Sequence, residues 1–96
     1  IHDLCLTLDV PVWCGGMVET GIRRAANAAL GALPGFTLPG DISASARFYA
    51  QDIVTDPITI VDGHVTVPTA PGMGFDIDRD VLESVTTSTL VVELDR

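Results

Sequence analysis

VPVWCGGMVETGIRRAANAALGALPGFTLPGD, residues 10–41, decides the architecture, because three different patterns follow one another in it. VPVWCG (10–15) is a continuously apolar run closed by Gly15-Gly16, the pattern of a strand buried on both faces in a parallel sheet. From Thr20 onward the apolar positions Ile22, Ala25, Ala26, Ala29, Leu30 and Leu33 recur at helical spacing until Pro34-Gly35 stops them. This predicts an amphipathic helix with Thr20 at its N-cap. Phe36, Thr37 and Leu38 then predict a second short strand, ended by Pro39-Gly40. Strand, helix and strand in that order predict a parallel α/β array.

Upstream, IHDLCLTLD (1–9) reads as the second half of a helix without its opening cap, which suggests a truncated chain. Downstream the composition changes. ISASARFYAQDIV (42–54) carries small polar residues and a pair of rings, and ITIVDGHVTVP (58–68) alternates with period two around Asp62-Gly63. That dipeptide predicts a type I′ hairpin, since both central positions need positive φ. PTAPGMG (68–74) is a turn-rich connector, and DIDRDVLESVTT (76–87) predicts a short helix with acids in its first turn. TLVVEL (89–94) predicts a closing strand. An α/β half (about 1–41) is thus joined to an α+β half (about 42–96). One βα unit cannot close a parallel sheet or barrel, so the first half needs neighbours.

Composition narrows the function. Ninety-six residues allow at most one domain, and 47% apolar content with a mean hydropathy of +0.40 is rich for so small a body. Some of that surface is expected to lie against further protein. A net charge of −8 with five scattered Arg disfavours nucleic acid. The absence of Lys removes a Schiff base, a lysine general base and a P-loop from these residues. No apolar run approaches the roughly 18–20 residues of a membrane span, and no signal-peptide pattern is present. The chain is expected to be soluble and cytoplasmic. Cys5 and Cys14 lack zinc-finger spacing and are expected to be reduced, buried and structural.

Residues 10–53 strongly resemble the end of the barrel in the o-succinylbenzoate synthase and N-acylamino acid racemase group of the enolase superfamily. The resemblance rests on a strand ending CGGM-x-E-[ST]-G, a helix of the type G-x-x-R-A-x-N, and F-T-L-P-G-D-x-S-A-S; DGH and PxxPGxG extend it toward the C-terminus. One departure is Gly21-Ile22-Arg23-Arg24 where the family usually has G-I-G-R, and Arg23 is expected on the surface. The resemblance implies an α/β fold that is the C-terminal part of a modified TIM barrel. Residues 1–53 would end the barrel, with its last two strands and the helix between them, and 54–96 would be the C-terminal contribution to an α+β capping domain.

It also implies the chemistry. A magnesium ion holds a substrate carboxylate and stabilises an enediolate formed when a lysine removes the α-proton. The metal carboxylates and catalytic lysines of the family lie upstream of Ile1, so no catalytic residue and no metal ligand is expected here. Substrate binding is expected from Gly15, Gly16, Met17 and Val18 at a strand end, the usual place for function in such barrels. The glycines let backbone approach the ligand while Met17 contacts its succinyl or acyl part. Without the resemblance, the preferred reading of Gly15-Gly16 is a simple strand-to-helix turn, and the resemblance reverses that preference.

Two further carboxylates are candidates for support of the site. Glu19 reads either as a carboxylate behind the metal site or as a first-turn acid paired with the helix N-terminus. Asp41 either faces the active site or, the preferred reading, caps the next helical turn with help from Ser43 or Ser45. His2 and His64 are expected in solvent. Arg47-Phe48-Tyr49 is expected to dock rings under the barrel rather than to stack a base. Asp76, Asp78 and Asp80 alternate like a calcium loop but lack its Gly and its closing Glu.

The expected function is the C-terminal segment of a Mg²⁺-dependent o-succinylbenzoate synthase of menaquinone biosynthesis, with N-acylamino acid racemisation as a second activity. Its partners would be a small carboxylate substrate, the remainder of barrel and cap, and further copies in a homo-oligomer. The rival expectations are a free-standing acidic interaction module, which would fold cooperatively without metal, and a truncated relic without function.

Overall fold

Helix α1 spans His2–Thr7 and stops because the chain turns left-handed at Asp9, whose φ is 55°. In this computed structural model, which describes residues 1–93, the Val10 N–H donates to the Cys5 carbonyl at 2.8 Å and the Asp9 N–H to Leu6 at 3.3 Å. These two bonds satisfy the last helical carbonyls in the Schellman manner, with Asp where Gly is usual.

Residues 10–15 and 36–41 then run parallel. Leu38 donates to the Val12 carbonyl (3.3 Å), Asp41 donates to Cys14 (2.9 Å), and Gly15 and Asp41 form a parallel bridge. The expected strands at 10–15 and 36–38 are therefore extended segments that meet at a single bridge, not members of a sheet. The first is not buried on both faces either: its side chains alternate between exposed and half-buried, with Trp13 55% exposed. Among the described residues no third extended segment flanks the pair, so nothing extends the ladder or covers its faces.

Helix α2 spans Gly21–Gly31 and buries Gly21, Arg24, Ala25 and Ala28. The apolar stripe expected from spacing is only partly the buried face, since Ile22, Leu30 and Leu33 stay exposed. Small residues decide this: Gly21, Ala25 and Ala28 let the chain around 52–58 come close, while the larger apolar side chains project elsewhere. At Gly21 a Cβ would overlap the Val54 side chain. Thr20 occupies the N-cap with extended backbone, but its side chain makes no cap bond.

A short 3₁₀ turn at Ser45–Arg47 leads into the second half. Strands β1 (Ile60–Val61) and β2 (His64–Val65) form an antiparallel hairpin pairing Ile60 with Val65 and Val61 with His64. Its turn residues Asp62 and Gly63 have φ of 49° and 75°, as a type I′ turn demands. Helix α3 (Arg79–Val85) begins where the Asp78 carboxylate accepts the Val81 N–H at 3.1 Å. That cap, with Asp80 in the first turn, gives the acids a helix-starting role. The closing strand expected at 89–94 does not form over 89–93, where Leu90, Val91 and Val92 are exposed; Leu94 lies outside the described residues. Apolar composition alone does not make a strand without an edge to pair with.

The buried apolar cluster joins Ala25 and Ala28 of α2 to Ile58, with Val65, Val67 and Phe75 packed around them. It thus ties the first half of the chain to the second, across the boundary expected at 53/54. The accessible surface is 7511 Å², against about 5,300 Å² for a compact monomer of this mass. The radius of gyration is 16.2 Å, against about 12.5 Å for a compact chain of this length. The molecule is a slab of 46 × 43 × 24 Å, too open to cover its own apolar side chains.

Candidate functional site

The parallel segments end together, and this brings the glycine loop to Asp41. The Asp41 N–H is held by Cys14, and Gly16 packs so closely on the Asp41 carbonyl oxygen that a Cβ at position 16 would overlap it. Only glycine permits that approach. The loop then presents Met17 and Val18 outward, 72% and 60% exposed. Asp41 is exposed as well. Gly15, Gly16, Met17, Val18 and Asp41 therefore form one lip, at the ends of two parallel extended segments.

The loop is anchored from behind through its carbonyls. Tyr49 Oη donates to the Val18 carbonyl at 2.8 Å. Arg24 Nη2 donates to the Glu19 carbonyl at 2.6 Å, Nη1 donates to the Ser43 carbonyl, and Nε donates to Ser45 Oγ at 3.2 Å. Among the described residues no group accepts the N–H of Met17 or Val18.

Glu19 turns inward, 7% exposed. Its Oε1 accepts from Asn27 Nδ2 at 3.1 Å, and Oε2 lies 3.8 Å from Arg24 Nη2 without a hydrogen bond. It does not bond the backbone at the start of α2. That place is taken by Asp52, whose Oδ1 accepts the Gly21 N–H at 2.9 Å and the Ile53 N–H at 2.7 Å. The preferred expectation that Asp41 caps the next turn is corrected. The 3₁₀ turn starts at Ala44 without a side-chain cap, and Asp41 acts through its backbone. Arg23, as expected, is largely exposed, its side chain 70% accessible.

His2 is not a solvent histidine. Its side chain is 16% exposed, Nε2 accepts the Gly35 N–H at 2.9 Å, and the ring stacks on Phe36 with centroids 5.6 Å apart. Since Nε2 accepts, Nδ1 carries the proton it gives to Asp3 Oδ1 at 2.8 Å. His64 is exposed and donates from Nδ1 to the Asp62 carbonyl at 2.7 Å. Phe48 is 40% exposed and lies near both Arg24 and Arg47, whose guanidinium carbons are 5.8 and 5.9 Å from its centroid. Cys5 and Cys14 are free and half-buried rather than buried.

Sequence reasoning missed Trp13. Its ring stands 3.4 Å from where a Gly15 Cβ would be, beside a mostly apolar groove of about 670 Å³ that Cys14, Leu30 and Phe36 also line. That volume falls within the range of small-molecule pockets. Among the described residues no three His, Cys, Asp or Glu side chains gather into a metal-binding set. No described helix is long and apolar enough to cross a membrane.

Comparison with known proteins places this geometry. Residues 1–81 match the family model described as enolase C-terminal domain-like. An N-succinylamino acid racemase from Amycolatopsis sp is 56% identical over 88 residues, covering 92% of this chain and 24% of the relative. An o-succinylbenzoate synthase from Bacillus subtilis strain 168 is 51% identical over 87 residues, 91% of this chain and 24% of the relative. The chain thus spans about a quarter of the length of these curated relatives. A crystal structure of an enolase-superfamily member from Listeria innocua Clip11262 superposes with a TM-score of 0.86 at 48% identity, over 92% of this chain and 24% of that one. A muconate lactonizing enzyme from Klebsiella pneumoniae, 23% identical, shares the fold with a TM-score of 0.79 over 90% of this chain and 24% of that one.

Proposed function

Because the chain belongs to the enolase C-terminal domain-like family, we propose that it forms the C-terminal quarter of a magnesium-dependent o-succinylbenzoate synthase. The synthase would serve menaquinone biosynthesis in the cytoplasm, with racemisation of N-acylated amino acids as a second activity. The observation that carries this reading is the similar likeness to a racemase and a synthase, 56% and 51%, over nearly the whole chain. One enediolate serves both reactions, so one site can host both.

In this reading residues 10–15 and 36–39 are the last two strands of a modified TIM barrel, and 54–96 belong to the capping domain. The open slab and its uncovered apolar side chains support docking against the remainder of both. Among the described residues no metal-binding set gathers, and the chain has no lysine. In this reading the ion and the proton-transferring lysines belong to upstream chain. This segment's part is to hold the substrate. Gly15 and Gly16 bring backbone to the succinyl or acyl portion, Met17 and Val18 line it, and Glu19 and Asp41 support the lip from behind and beside. The complete enzyme is proposed to assemble as a homo-oligomer.

The test is a graft. Residues 1–96 replace the corresponding C-terminal quarter of the Amycolatopsis racemase, and both o-succinylbenzoate formation and N-succinylamino acid racemisation are assayed. Activity in the graft and none in the 96-residue chain supports the proposal. A soluble graft with neither activity overturns it. Reading the coding DNA upstream of Ile1 supplies an independent check: an open frame with Lys-x-Lys and three strand-end carboxylates is expected.

A further inference from the structure

The Arg24 guanidinium is completely buried, yet it is not paired as a buried charge usually is. Its nearest carboxylate oxygen, Glu19 Oε2, is 3.8 Å away and accepts no hydrogen bond. The donors go instead to main-chain carbonyls on both sides of the mouth, Glu19 at the end of the glycine loop and Ser43 two residues past Asp41, and to Ser45 Oγ. Its guanidinium carbon lies over the Phe48 ring, 5.8 Å from the centroid. An apolar side chain of similar length would fill this space without the cost of desolvating a charge. What it could not do is fix two loops at one separation, which a planar fork with several donors does well.

We propose that Arg24 is a positioning residue for the mouth: it sets the distance between the Gly15–Val18 loop and the Asp41 strand end, and through it the fit of the substrate's acyl group. This rests on the proposed reading of that loop as the acyl-binding element. Arg24 touches no substrate. The carbonyls of Val18 and Glu19 are consumed by Tyr49 and Arg24, while the Met17 and Val18 N–H groups have no acceptor among the described residues and remain free for a ligand. Release of the Glu19 carbonyl lets the loop turn, and those donors lose their aim.

The experiment compares Arg24→Lys and Arg24→Met with wild type in the complete enzyme, using an N-succinylated and an N-acetylated amino acid as racemisation substrates. Lysine keeps the charge and can reach only one carbonyl, so it guards against a methionine variant that fails to fold. The expected result is a rise in KM for the succinylated substrate of about tenfold or more with kcat changed less than about threefold, and a much smaller effect on the acetylated one. Amide exchange at Asp41 and Arg47, whose N–H groups are bonded to the Cys14 and Ala44 carbonyls on either side of Ser43, is expected to accelerate in the same variants. Equal losses on both substrates that follow a fall in Tm would overturn the proposal, as would unchanged KM in a folded Arg24→Lys. If wild type turns over neither substrate, the functional reading fails separately. Amide exchange then decides alone whether Arg24 clamps the two loops, and unchanged exchange rejects it.

Discussion

Asp52 caps helix α2 from outside it: its Oδ1 accepts the Gly21 N–H at 2.9 Å although the two residues are 31 apart in sequence. The bond replaces the local cap that Thr20 would have supplied, and it ties the chain at Asp52 to the helix start. Asp52→Ala should cost about 1–2 kcal/mol, because the cap and its charge are lost together. Asp52→Asn, which keeps an acceptor oxygen, should cost well under half of that. Thr20→Ala should stay within about 0.5 kcal/mol of wild type. Urea unfolding of the three variants in the full-length protein checks the ranking, and a Thr20 effect larger than that of Asp52 would reverse the assignment.

Gly16→Ala should separate the two parallel segments. The added methyl meets the Asp41 carbonyl oxygen, a backbone atom that cannot swing aside. A loss of about 1–3 kcal/mol is expected for forced overpacking of this kind. The Asp41 N–H, bonded to Cys14 at 2.9 Å, should exchange faster in the variant. Gly63→Ala provides the contrast, since a Cβ there meets nothing within 4 Å and the penalty is that of positive φ alone.

His2→Ala should loosen α1 from the turn that follows α2. The substitution removes the acceptor of the Gly35 N–H and the ring stacked on Phe36. Leaving that N–H without a partner is expected to cost about 1–3 kcal/mol. His2→Leu keeps apolar bulk but supplies no acceptor, so it should recover only part of the loss. Thermal unfolding of both variants, followed by Trp13 fluorescence, measures the difference.

Asp62→Asn should be neutral within about 0.5 kcal/mol, whereas Asp62→Val should destabilise the hairpin by about 1–2 kcal/mol, because a β-branched residue resists the left-handed region. Backbone amide shifts of Ile60 and Val65, paired across the ladder, report whether the register survives.

Elements specified by neighbours in sequence were legible. The Asp62-Gly63 turn, the start of α3 at Asp78 and the extent of α2 all follow from groups within a few positions of one another. What distant chain supplies was not. The burial of Arg24, the cap from Asp52 and the clasp of His2 on Gly35 each join residues about 20 to 33 positions apart, and no periodicity announces them. Residues 89–93 mislead for the converse reason: their composition suits a strand, but strands exist only by pairing. At the lip, spacing placed Gly15–Val18 and Asp41 each at a strand end, while the reason position 16 is glycine, the carbonyl of Asp41, is a tertiary fact. Trp13 carried no signal beyond being a ring in an apolar run, and Arg24 none beyond its place in the G-x-x-R-A-x-N pattern, which says nothing of its burial.

The lip is fastened wholly through main chain: the carbonyls of Val18 and Glu19, the backbone bridge of Gly15 to Asp41, and the contact of Gly16 with the Asp41 carbonyl. The side chains of Met17 and Val18 take no part in holding it. Substitution of either side chain therefore leaves every one of these fastenings in place.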